Sequence, residues 1–165
     1  MKYQKITRYD TANGIGIRVV LWVSGCNHYC EGCHNPETWN CNNGELFTKK
    51  TMEQLLEFIS KPWINGITFS GGDPLFPDNR SEILEIIKEI KTKFPSKTIW
   101  LYTGYTWEEI QDLELVKFID VLVDGEFHLQ EKDISLPFCG SRNQRVIDVT
   151  KTIKSGEVSL WEISN

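Results

Sequence analysis

Five short runs along the chain are apolar or β-branched at nearly every position: residues 15–23, 66–69, 98–102, 119–123 and 145–149. Runs of this length with little polar alternation predict strands buried on both faces. Between most of them the period changes to that of a helix. From a cap at Asp78 or Asn79, Ile83, Ile87, Ile90 and Phe94 share one face, while Glu82, Glu85, Lys88 and Lys91 are directed elsewhere. Pro95 ends that pattern. Weaker helical patterns cover 51–60, with Leu55, Leu56 and Ile59 inward, and 107–118, where Thr106 caps and Glu109 completes a capping box.

Strands alternating with amphipathic helices predict an α/β fold with mostly parallel strands and right-handed crossovers, and a partial βα barrel and a doubly wound sheet both fit. The polar stretches 35–50 and 126–143 read as surface loops. Neither repeat nor linker divides the sequence, so residues 1–165 are expected to form a single domain.

Composition narrows the function by exclusion. With 23 acidic against 18 basic residues the formal charge is −5, which gives no broad positive field for a nucleic-acid partner. The first ten residues have no apolar secretion core, and no later apolar run approaches membrane-spanning length. A cytoplasmic protein with no membrane partner is expected. Five cysteines, an odd set with three crowded together, read as metal chemistry and not as a disulfide framework.

The crowded three lie in Cys26-Asn27-His28-Tyr29-Cys30-Glu31-Gly32-Cys33, a C-x3-C-x2-C loop directly after the first predicted strand. A cubane iron-sulfur cluster is normally held by four thiolates, so a loop offering three leaves one iron open to another ligand. The alternative is a closed zinc site completed by His28, His34 or Cys41. It loses ground because of where the loop lies. The cysteine loop, Ser70-Gly71-Gly72-Asp73-Pro74, Thr103-Gly104-Tyr105 and Asp124-Gly125-Glu126 each follow a predicted strand. Ligand sites of parallel α/β folds form at the carboxyl ends of strands, so the four clusters are expected to converge on one mouth.

Gly71 and Gly72 leave backbone open to a ligand, with carbonyls free to accept from an ammonium group, and Asp73 adds negative charge; an ordinary turn is the alternative. Arg18, inside the first strand, needs either a carboxylate partner or exposure, and a structural ion pair is expected. Gly14-Ile15-Gly16 precedes its strand instead of following it, so a dinucleotide loop is discarded. Cys41 and Cys139 read as small buried hydrophobes, and Tyr102, Tyr105 and Trp107 as packing, with Tyr105 in reach of a ligand.

The C-x3-C-x2-C loop with a downstream glycine-glycine-acid motif resembles the radical S-adenosylmethionine enzymes. Further segments resemble one branch of them, the activating proteins of anaerobic ribonucleotide reductases. These are Gly16-Ile17-Arg18, His34-Asn35-Pro36-Glu37-Thr38-Trp39, Thr68 through Leu75, Leu101-Tyr102-Thr103-Gly104-Tyr105, Val121 through Phe127, and Gly140-Ser141-Arg142-Asn143-Gln144-Arg145.

The resemblance implies a truncated partial barrel of the radical S-adenosylmethionine type. In it Cys26, Cys30 and Cys33 would hold a [4Fe-4S] cluster, and S-adenosylmethionine would chelate the open iron. Gly71, Gly72 and Asp73 would orient its amino group, with Gly32, Cys33 and His34 facing the cofactor. One electron, from a donor such as flavodoxin, would cleave the sulfonium to methionine and a 5′-deoxyadenosyl radical. That radical would take a hydrogen atom from a glycine Cα of the anaerobic ribonucleoside-triphosphate reductase large subunit. Other glycyl radical enzymes or a small molecule as substrate, and a non-catalytic iron-sulfur or zinc module, are the alternatives. Gly32 stands where many of these enzymes carry an aromatic residue, which leaves the adenine contact unassigned.

Overall fold

The computed structural model describes residues 1–162. Seven strands form one sheet: β1 (Lys2–Asp10), β2 (Arg18–Val23), β3 (Glu45–Leu46), β4 (Gly66–Gly71), β5 (Thr98–Tyr102), β6 (Val121–Asp124) and β7 (Arg145–Asp148). Their spatial order is β3-β1-β2-β4-β5-β6-β7. The central strands β2, β4, β5 and β6 pair in parallel, whereas β1, β3 and β7 join antiparallel at the two edges.

Helices α1 (Lys49–Ile59), α2 (Arg80–Lys93), α3 (Trp107–Ile110) and α4 (Val149–Ser155) accompany the strands. Along the parallel centre each strand is added on the same side of the previous one, so right-handed crossovers put every connecting helix on one face. The packing follows. Leu55, Leu56 and Ile59 of α1 and Ile83, Ile87 and Ile90 of α2 share one core with Leu21, Ile67, Phe69, Ile99 and Leu101 of the sheet. The opposite face carries a smaller cluster around Trp100, Val121 and Val123, covered by Phe138, Cys139 and Trp161. A doubly wound sheet needs a reversal of strand order within its parallel part, and none occurs, so that alternative falls.

Several predicted elements differ from the observed ones for identifiable reasons. β1 went unpredicted because KYQKITRYD is mostly polar: only one of its residues is fully buried, as suits a strand near an edge. The expected helix over 107–118 is two pieces, α3 with its Thr106–Glu109 capping box and a 3₁₀ turn over Glu114–Phe118. α4 was missed because its register, Val149-Thr-Lys-Thr-Ile-Lys-Ser, offers few apolar positions, although Asp148 caps it.

Arg18 overturns its expectation. It is fully buried and, among the described residues, its hydrogen bonds go to hydroxyls and carbonyls and to no carboxylate. Its Nε donates to Thr68 Oγ1 at 2.7 Å, Nη1 to Thr98 Oγ1 and the Ile15 carbonyl, and Nη2 to the carbonyls of Ile67 (2.6 Å) and Thr98 (2.9 Å). The guanidinium also lies 5.4 Å from the Trp100 ring centre. Burial pulls its pKa down to about 10, which keeps it charged at neutral pH. A planar fork of donors can satisfy itself on main-chain carbonyls of adjacent strands, which an ion-pair expectation overlooks.

Candidate functional site

The cysteine loop begins where β2 ends, and the Gly71-Gly72-Asp73 turn begins where β4, its parallel neighbour, ends. The two are hydrogen-bonded together. Gly72 N donates to the Val23 carbonyl at 2.8 Å and Asp73 N to the Gly25 carbonyl at 2.7 Å. Gly25 N and Cys26 N donate in turn to the carbonyls of Thr38 and Trp39, closing the following segment behind the loop. A Cβ on Gly71, which has φ +113°, would lie 2.5 Å from Val23 N, and one on Gly72 would lie 2.6 Å from the Gly25 carbonyl oxygen. The glycines therefore admit a close approach of chain to chain, which seats the acid of the turn beside the cysteines.

Cys26, Cys30 and Cys33 line one cavity of about 220 Å³, together with His34, Gly71, Gly72 and Asp73. Cys26 is buried and the other two are half-buried. Burial pushes the Cys26 thiol up to about 11 and raises that of Cys30 as well. Gly32 is not on the cavity wall. It turns the loop at φ +74°, and a Cβ there would meet Leu129 Cδ1 at 2.9 Å, so an aromatic residue of the kind many of the resembling enzymes carry here would be strained.

Sequence reasoning missed the network at the centre. Asp73 is 1 % exposed, and its carboxylate accepts from Leu75 N (2.7 Å), Thr103 Oγ1 (2.9 Å), Gly104 N (3.0 Å) and His28 Nε2 (2.8 Å). His28 Nδ1 reaches Glu126 Oε1 at 2.9 Å. With a carboxylate on each ring nitrogen, both nitrogens donate and the ring is held as an imidazolium. The bond to Asp73 is the larger cause of its raised pKa, and the bond to Glu126 adds to it. Each of the four clusters that follow predicted strands supplies one partner: His28, Asp73, Thr103 with Gly104, and Glu126. The signal for this network was their shared position at strand ends, and no single residue announced it.

These contacts also bear on the zinc alternative. Both His28 nitrogens are engaged, His34 packs against Phe127 with ring centres 6.3 Å apart, and Cys41 lies behind Gly25, outside the cavity wall. Among the described residues, no three His, Cys, Asp or Glu side chains, Cys26, Cys30 and Cys33 included, form a group that could hold one metal ion, whereas a cubane takes each thiolate on a different iron.

A family model described as a 4Fe-4S single cluster domain matches residues 12–147. Three similar relatives carry the name anaerobic ribonucleoside-triphosphate reductase-activating protein. That of Enterobacteria phage T4 is 48% identical over 148 residues, covering 88% of this chain and 93% of the relative. That of Escherichia coli (strain K12) is 43% identical over 150 residues, covering 88% and 97%. That of Vibrio cholerae is 40% identical over 148 residues, covering 87% and 96%. The chain belongs to the anaerobic ribonucleoside-triphosphate reductase-activating proteins.

For a member of these activating proteins the donor set fits an iron-sulfur cluster. Thiolates are the usual ligands of such clusters, and three thiols from one loop share a single cavity wall. A second cavity, of about 740 Å³, opens beside the first and shares His28, Gly104 and Gly125 with it. Its wall is polar, with Glu108, Glu126, Asn143 and Arg145. Arg145 bridges Asp124 and Glu108, which fixes that wall to β6 and α3.

Proposed function

We propose that this chain is an iron-sulfur enzyme that activates an anaerobic ribonucleoside-triphosphate reductase by generating a glycyl radical on its large subunit, with S-adenosylmethionine as the radical source. Cys26, Cys30 and Cys33 would hold the [4Fe-4S] cluster. When bound and reduced, the cluster would supply the electron that cleaves S-adenosylmethionine to methionine and a carbon radical able to take a hydrogen atom from a glycine Cα. A small one-electron carrier such as flavodoxin is the proposed donor, and the cytoplasm the proposed compartment. Among the described residues no helix is long and apolar enough to cross a membrane.

The observation that carries this reading is the hydrogen-bonded junction of two strand ends. It sets three thiols and a Gly-Gly-Asp turn on one cavity wall. The turn's carbonyls offer acceptors for the cofactor's ammonium group, with His34 on the same wall and Gly32 shaping the loop that carries Cys33. Asp73 already accepts four hydrogen bonds, so it serves by fixing the turn and by its charge. The singly wound sheet, helices on one face and an inner face that ends at the cavity, is what a truncated partial barrel of the radical S-adenosylmethionine type requires. Its open edge leaves room for a protein substrate.

The test is anaerobic reconstitution followed by dithionite and S-adenosylmethionine. 5′-Deoxyadenosine should form, and the purified reductase should acquire a glycyl signal in electron paramagnetic resonance. An intact cluster that yields no 5′-deoxyadenosine would defeat the proposal, and a glycyl signal on a different enzyme alone would move the substrate.

A further inference from the structure

The two cavities that meet at the strand ends share three residues, and two of those, Gly104 and Gly125, have no side chain. The partition between them is therefore the His28 ring. Its edges are held in place. A Cβ on Gly104 would lie 2.5 Å from the ring, Tyr105 meets it edge-on with centres 4.7 Å apart, and its nitrogens are bonded to Asp73 and Glu126. The two bonds are unequal in their freedom. The Asp73 side chain is 1% exposed and tied by three further donors, whereas that of Glu126 is 49% exposed.

We propose that the larger cavity receives the glycine-bearing segment of the reductase and that His28 is the gate this segment must move to reach the cofactor cavity, with Glu126 as the releasable hold and Asp73 as the fixed pivot. The proposal rests on the function proposed above. The larger cavity suits a main-chain segment, because its polar wall of Glu108, Asn143 and Arg145 presents acceptors and donors for peptide groups. His28 acts here as a positioning residue and not as a reacting one.

The physical consequence has a definite sign. If the bound state needs the gate open, the bond between His28 and Glu126 opposes binding, and removing it leaves less to undo. Reconstituted Glu126→Ala should therefore bind the reductase more tightly, by roughly fivefold for a hydrogen bond of ordinary strength. His28→Ala removes the partition itself. It should consume S-adenosylmethionine without the reductase, so that 5′-deoxyadenosine formed per glycyl radical rises several-fold over wild type. Binding by titration calorimetry and the product ratio are two independent readouts, and only variants that match wild type in iron content are compared. Glu126→Ala binding as wild type or more weakly would overturn the latch, and an unchanged product ratio in His28→Ala would overturn the gate. Wild-type protein forming no 5′-deoxyadenosine would instead count against the proposed function, while the binding comparison still reports on the latch.

Discussion

Arg18 and Asp73 are two buried charges at opposite ends of the sheet's parallel centre, and they are satisfied in opposite ways. Arg18 sits where β2 begins and spends its donors on carbonyls and hydroxyls of β4, β5 and the loop before β2. Its network is closed: every partner belongs to the frame of the sheet. Asp73 sits where β4 ends, and its network runs outward through His28 to a half-exposed carboxylate, Glu126. A buried charge whose partners are all backbone or strand side chains stitches a fold together. One whose last partner faces a cavity is placed for something that arrives.

The sharpest break between the two ends should come from the thiols. Cys30→Ala is expected to remove the cluster and with it all detectable 5′-deoxyadenosine, read by iron content and chromatography, while the cluster-free protein unfolds in urea much as wild type does. Arg18→Ala should do the reverse. Leaving carbonyls of Ile67 and Thr98 without a donor in a dry interior should lower stability by about 3 to 4 kcal/mol in urea unfolding. Activity per folded, cluster-loaded molecule should remain close to wild type. Arg18→Lys should not rescue it, since one ammonium cannot span both neighbouring strands as a planar fork does.

Asp73→Asn tests the other end more finely. An amide in that position turns its NH₂ toward donors such as Gly104 N–H or the His28 ring, so the junction should weaken by about 1 to 3 kcal/mol. Formation of 5′-deoxyadenosine should fall roughly tenfold or more, a larger share of function than of stability. Equal losses of both in Arg18→Ala and Asp73→Asn would erase the contrast. The smallest effect is expected at Gly32, where alanine has to adopt φ +74° against Leu129. Gly32→Ala should cost about 1 kcal/mol and lower cluster yield slightly, measured by urea unfolding and iron content.

Much of this was legible in the chain. The four parallel strands are dense apolar runs, and α2 carries a clean helical face closed by Pro95, because burial on both faces and an amphipathic stripe each leave a local trace. The cysteine spacing and the Gly-Gly-Asp turn could be read for the same reason: three thiols in eight residues and a tight turn are local features. β1 and α4 left little trace, being half-exposed and short on apolar positions.

What the sequence determined by itself, then, was the α/β class, the strand ends as the place where the unusual residues gather, and the cysteine loop as one of those clusters. The tertiary structure alone decided that every helix lies on one face, that Arg18 needs no counter-ion, and that His28, Asp73, Thr103 and Glu126 meet. Strand order and hydrogen bonds between strand ends join residues 30 to 98 positions apart. Such pairings cost loop closure and are selected only when the whole sheet assembles, so no local pattern records them.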